Sequence, residues 1–255
     1  MANWSDPRTS AAPYATAGTQ AASYDAGLRS YMLSVYNYML SGVLLTGIVA
    51  LLFGKVEALQ QLLFVVTETS RGVGVSPSLL GWIVMISPLA IVFAMSFGQG
   101  RMSESTLKTL FFAYAGLLGA SLSTIFITYT DTSIAQVFFG TAAGFGALSL
   151  WGYTTKKDLS GFGTFLIIGL VGLIVASIVN FFLQSGVMSL VISVIGVLIF
   201  AGLTAYDTQK IKSMYAYVAG TDQMGKTVIM GALNLYLDFI NMFLFLLRLF
   251  GSQRN

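Results

Sequence analysis

Apolar residues in this chain come in long runs that charge interrupts only at intervals. Uncharged stretches cover 30–54, 72–100, 109–130, 132–155 and 159–206, and a last apolar segment covers 228–250. A helix needs about 20 apolar residues to cross a bilayer, so each of the first four runs holds one span. The 159–206 run is too long for one span and suffices for two, with a turn at Gln184-Ser185-Gly186. The pattern therefore predicts an all-α, polytopic membrane protein. Its seven spans fall at 30–53, 77–97, 107–128, 133–153, 162–183, 187–206 (extending to 215) and 228–250.

Local signals add detail. The loop 54–76 is the longest between spans, and 56–66 within it suits a short helix lying at the membrane interface. Pro77 suits the first turn of the second span. Pro88 falls inside that span, where it removes a backbone hydrogen bond and kinks the helix, either as a static bend or as a hinge. Gly140 and Gly144 form a small-xxx-small pair that permits close helix approach. Residues 1–29 are rich in Ala, Ser, Thr, Gly and Tyr, with Pro7 and Pro13 and no helical period. They read as a disordered tail, retained because a signal peptide's charged start, apolar run and cleavage site are missing. The transmembrane domain is then 30–251.

Composition sharpens this reading. Hydrophobic residues make up 56% and charged residues 9%, against about 25% charged in a soluble domain. With no Cys and no His, disulfides, thiolate nucleophiles, Ser-His-Asp triads and Cys/His zinc sites are excluded. A pH response in the physiological range then has to come from carboxylates rather than imidazole. The formal charge of +3 is small, and no basic stripe with interleaved aromatics marks a nucleic-acid partner. Arg8, Arg29, Arg101, Lys108, Lys156, Lys157, Lys210, Lys212 and Lys226 lie on the N-terminal side of the membrane. They outnumber Lys55, Arg71, Arg248 and Arg254 on the other. The positive-inside rule then places the N-terminus in the cytoplasm.

Two acidic residues touch the hydrophobic segments: Asp207 at the end of the sixth span and Asp238 at the middle of the seventh. A carboxylate at that depth is costly unless it faces protein or water, and is functional by default. The competing reading is a protonated side chain that bonds a neighbouring helix as packing glue. Asn234, Asp238 and Asn241 are spaced i, i+4, i+7 and share one helix face. By helical rise alone, Asp207 would lie about 10–15 Å nearer the cytoplasm than Asp238, so pairing needs a tilted or kinked sixth span. If the carboxyls do meet, they share a proton and titrate as a dyad. Oxygen-rich groups of this kind, with the two amides nearby, suit a hard cation such as Ca²⁺. Arg248, near the end of the seventh span, is expected to snorkel to the interface.

The residues around these aspartates carry a resemblance. Ala205-Tyr206-Asp207-Thr208-Gln209-Lys210-Ile211 and Leu235-Tyr236-Leu237-Asp238-Phe239-Ile240-Asn241, followed by Leu247-Arg248-Leu249-Phe250-Gly251, resemble the signature of the Bax inhibitor-1 family, including its bacterial YccA-like branch. The resemblance extends over residues 30–251. It implies a seven-helix bundle with the last helix central and enclosed by the other six. It also implies a pH-sensitive Ca²⁺ leak across a bacterial inner membrane, with Asp207 and Asp238 as the pH-sensing, ion-binding pair. No resident cofactor is implied, only transient calcium. An arginine near the end of helix 2 latches one aspartate in related members, and Arg101 is the candidate here, against a plain role as a positive-inside anchor.

Other readings compete. The YccA-like branch is associated with the membrane protease FtsH, which makes a non-transporting regulator of that protease the alternative function. An intramembrane aspartyl protease would need a Gly-x-Gly-Asp motif where this chain has Leu235-Tyr236-Leu237-Asp238, so no enzyme is expected. Proton-coupled transporters carry paired, interrupted helices in two matching halves, and none is visible.

Overall fold

The computed structural model describes residues 17–69 and 72–254. Nine α-helices and one hairpin are found among them: α1 (Ala17–Lys55), α2 (Glu57–Leu63), β1 (Phe64–Thr69), β2 (Gly72–Pro77), α3 (Leu79–Gly98), α4 (Glu104–Ser121), α5 (Ile125–Thr128), α6 (Asp131–Thr154), α7 (Ser160–Leu183), α8 (Gly186–Val218) and α9 (Met224–Phe250). A single 3₁₀ turn, Leu122–Thr124, joins α4 to α5, and the two act as one span. Seven helical segments are long and apolar enough to cross a membrane.

The turn that splits the long run is built where the sequence predicts it. Gln184 takes a left-handed backbone at φ 50° and ends α7, and Ser185 caps α8 by accepting the Met188 N–H. Such capping satisfies an otherwise orphaned donor.

Three expectations are corrected. The first concerns the tail: α1 begins at Ala17 rather than at residue 30, and residues 1–16 lie outside the described residues. Ala is the strongest helix former, and the added turns find a partner, with Tyr24 packing on Tyr215 at 5.1 Å between ring centroids and Leu28 buried. From there a stripe of Tyr31, Val35, Met39, Val43, Thr46 and Ala50 buries one face of α1.

The second correction concerns the loop 54–76. Its interfacial helix stops at Leu63, and the chain continues into an antiparallel hairpin that pairs Phe64 with Pro77 and Thr69 with Gly72. Val and Thr crowd this stretch, and β-branched residues favour strands. Pro77 thus ends β2, and Ser78 instead caps α3 through the Gly81 N–H.

The third concerns Gly140 and Gly144. No neighbouring atom lies within 4 Å of a Cβ built at either. The close approach on α6 is made by Gly152, whose Cα faces the backbone of Ala205 on α8.

The C-terminal helix is central. In α9, 67% of the span window is buried, against at most 33% in any other. It packs against α1, α4, α6 and α8, four helices rather than six. The remaining two spans form an outer layer: α3 rests chiefly on α4, and α7 rests on α8 alone, apart from isolated contacts. This leaves a groove between α7 and α9 with α8 as its floor.

At one end of the bundle, Lys55 and Arg254 converge on Asp131 at 2.7 and 3.0 Å. The C-terminal segment is pinned there by Thr130 N–H to Ser252 C=O and Arg254 N–H to Thr128 C=O, each 2.9 Å.

Candidate functional site

The groove between α7, α8 and α9 encloses a cavity of about 820 Å³. Most of its wall is apolar, contributed by α7 side chains such as Ile174 and Ile178 and by Phe245 of α9. Along its floor runs a polar stripe made of Asp207, Lys210, Asn234, Asp238 and Asn241. Four of the five site residues expected from sequence thus line one space.

The two aspartates meet. Their side chains lie within hydrogen-bonding contact of one another, although the spans as read from sequence set them at different depths. The expected extension of the sixth span to 215 is borne out in α8 and accounts for the meeting. That helix does not stop near the membrane surface but runs on to Val218, because Thr208, Ile211 and Tyr215 keep one face buried. Asp207 consequently lies 11 residues before the end of α8, and Asp238 lies 14 residues after the start of α9. At 1.5 Å per residue, the two sit within about 5 Å of each other in depth, measured from the turn between the helices.

Asp238 is 4% exposed, while Asp207 is half-buried at the groove wall. Oδ2 of Asp238 is buried with no N–H or O–H donor from another residue. Unmet polar atoms at such depth are uncommon in proteins. Asn241 donates to the Leu237 carbonyl of its own helix at 2.8 Å, leaving its amide oxygen free of that bond. Asn234 lines the same cavity one turn from Asp238.

Behind Asp207, a line of hydroxyls fixes α8 in place. Thr208 donates to the Thr204 carbonyl at 2.8 Å. With that proton committed, Ser149 donates to Thr208 at 2.8 Å and Tyr36 donates to Ser149 at 2.5 Å. The line crosses from α8 through α6 to α1. On the opposite face of α9, Thr46 donates to the Ala115 carbonyl and Tyr236 donates to Thr46. Hydrogen bonds between helices therefore brace both flanks of the aspartate pair.

Arg101 does not join the site. It is exposed in the turn between α3 and α4, and none of the ion pairs among the described residues includes it. Its span packs on α4, away from the groove. The cation near the pair is Lys210 instead, one turn beyond Asp207 and electrostatically coupled to it. The i, i+3 spacing that places two residues on one helix face was visible in Asp207-Thr208-Gln209-Lys210, but a lysine near a span end is first read as an interface anchor. Arg248 is exposed, with its guanidinium 5.9 Å from the Phe245 ring. Among the described residues, no group of three or more acidic side chains gathers to form a dedicated metal cage.

This geometry sits within a recognised lineage. Residues 28–255 match the family model described as inhibitor of apoptosis-promoting Bax1. The chain belongs to the Bax inhibitor-1 family. It is 47% identical to the inner membrane protein YbhL of Escherichia coli K12 over 231 residues, covering 90% of this chain and 94% of that one. It is also 49% identical over 233 residues to an uncharacterised protein of Rickettsia prowazekii, with 91% and 93% covered. A protein of Caulobacter vibrioides matches at 47% over 235 residues, with 91% and 92% covered. These matches extend across nearly the whole chain, so the family assignment covers the bundle and the groove together.

Proposed function

We propose that the Asp207–Asp238 pair controls a slow, pH-sensitive leak of Ca²⁺ across the bacterial inner membrane. The observation that carries this reading is the meeting of two carboxyl groups, one of them deeply buried, at the floor of a membrane groove. Two carboxyls in contact hold a proton between them, because two bare like charges side by side are costly. When the proton leaves, the paired charges form a hard oxygen site that a divalent cation neutralises. Protons and Ca²⁺ then compete for the same oxygens. Asn234 and Asn241 supply further oxygens along the stripe, and Lys210 offers an internal cation that the passing ion displaces. The inner-membrane location follows the name of the E. coli relative. The lysine-rich end containing Lys156, Lys157 and Lys210 faces the cytoplasm by the positive-inside rule, which puts the N-terminus there too.

The test is Ca²⁺ entry into liposomes carrying the purified full chain, at acidic and neutral pH, beside Asp238→Asn and Asp207→Asn. The expected result is a pH-dependent flux whose pH dependence is lost in each variant, because an amide does not titrate. Unchanged pH dependence in both variants sinks the mechanism. No flux at any pH moves the assignment to a non-transporting regulator of FtsH, checked by co-purification with that protease.

A further inference from the structure

The cavity that holds the aspartate pair adjoins a second pocket, and the two side by side pair an apolar space with a cationic one. The second pocket, about 300 Å³, lies at the end of the bundle between the α6–α7 loop and α8. It is lined by Lys156, Lys157, Lys210, Asp158, Ser160 and Gln209. Tyr206 and Lys210 line both spaces.

The pocket is held in shape by its own bonds. Gln209 on α8 accepts the Leu159 N–H at 2.9 Å and donates to the Lys157 carbonyl at 2.8 Å, fixing the loop that presents the lysines. None of the three lysines enters an ion pair among the described residues. The negative groups nearby are Asp158 and Asp207. Asp158 is occupied by the N–H of Ser160 at 2.9 Å, and Asp207 is turned to Asp238. Three ammonium groups around one small pocket therefore leave it net positive.

The adjoining groove is of membrane dimensions. Its α7 wall extends from Ile167 to Phe182, a rise of about 22 Å, compared with about 15 Å for one leaflet's share of the hydrocarbon core. Because α7 rests on α8 alone, the groove is open sideways to lipid.

The geometry points to a binding site for an anionic glycerophospholipid, its phosphate in the Lys156–Lys157–Lys210 pocket and one acyl chain in the groove between α7 and α9. Charge complementarity chooses the anionic headgroup. The adjacency of the two spaces, with Tyr206 and Lys210 lining both, chooses a lipid over a free anion. This site shares Lys210 and the groove with the aspartate pair, and its test reads lipid preference rather than ion flux.

The absence of cysteine makes the test direct. A single Ile174→Cys substitution, labelled with a small fluorophore, reports on the groove, and Ile86→Cys on the lipid-facing side of α3 serves as control. The full-length protein is reconstituted in phosphatidylcholine vesicles containing a minor fraction of brominated-chain phosphatidylglycerol or brominated-chain phosphatidylcholine. At position 174 the brominated phosphatidylglycerol is expected to be preferred on the order of tenfold, a magnitude set by the attraction of clustered lysines for anionic headgroups. Adding Lys156→Gln and Lys157→Gln erases the preference at 174, and position 86 shows none. Equal quenching by the two lipids at 174, or a preference that survives the lysine changes, overturns the proposal. Loss of the preference in millimolar inorganic phosphate at constant ionic strength overturns it in favour of a free-phosphate site.

Discussion

Ser121 on α4 donates its hydroxyl to the carbonyl of Val84 on α3 at 2.9 Å. That carbonyl is the acceptor left without its helical partner by Pro88, four residues on. Ser87 also reaches it, at 3.2 Å. The proline's cost is thus met locally, and the bond ties α3 to its neighbour.

With the Val84 carbonyl satisfied in this way, α3 is expected to act as a fixed element rather than a hinge. Ser121→Ala is expected to destabilise the protein by about 0.5–1.5 kcal/mol, as for interhelical hydrogen bonds in membranes, with Ser87→Ala costing less. Thermal unfolding in detergent measures both. Pro88→Ala should leave Ca²⁺ flux unchanged. A flux lost at unchanged stability would make α3 a moving part.

Ca²⁺ binding to the purified protein should weaken as pH falls, since protons occupy the oxygens that the cation needs. Titration by calorimetry at several pH values reads this directly, and Asp207→Asn should flatten the trend. Affinity that does not vary with pH counts against proton competition.

Asp158 provides a control on the same experiment. Hydrogen bonds from the Ser160 hydroxyl and N–H hold its carboxyl below the usual carboxylate range. Its folded-state value is depressed, so whatever it contributes is present above the unfolded value and is lost only as pH falls through the lower folded one. Asp158 therefore stays ionised from neutral to mildly acidic pH. Asp158→Asn should not alter the pH profile of flux between pH 5 and 8, and a displaced midpoint would assign part of the pH response to the loop.

The contrast among glycines gives a stability test. A side chain at Gly152 would collide with the Ala205 backbone, where nothing flexible can yield. Gly152→Ala should cost about 1–3 kcal/mol, in the manner of overpacked cores. Gly140→Ala and Gly144→Ala meet nothing within 4 Å and should be neutral by the same melting assay.

These contrasts show which features are local enough to be read along the chain. The spans, the turn at Gln184 and the shared face of Asn234, Asp238 and Asn241 follow from periodicity and length, which sequence carries directly. The depth of Asp207 does not. The extension of α8 past Lys210, held by buried Ile211 and Tyr215, is legible, but that the turn into α9 brings Asp207 level with Asp238 is a tertiary relation. The helix from Ala17 to Arg29 likewise needs Tyr215, a partner far away in sequence, and so resembles a tail when read alone. Lys210 rather than Arg101 became the site's cation because α3 packs on α4, on the far side from the groove. Small-residue spacing misled at Gly140 because spacing does not say whether another helix is there.

The attachment of α7 has one further consequence. Its contacts with α8 include the ring of Tyr206 at Gly163, Ile199 at Gly169, and Leu166 and Phe162 at Gly202. Four spans, α1, α4, α6 and α8, close around α9 without it. The width of the groove can therefore change through substitutions at the exposed α7 positions that line it, such as Ile174 and Ile178, while Leu166 and Leu173 stay in the core. What the groove admits is then set by α7, while the carboxyl pair at its floor is carried by α8 and α9, which α1 and α6 brace from the side away from α7.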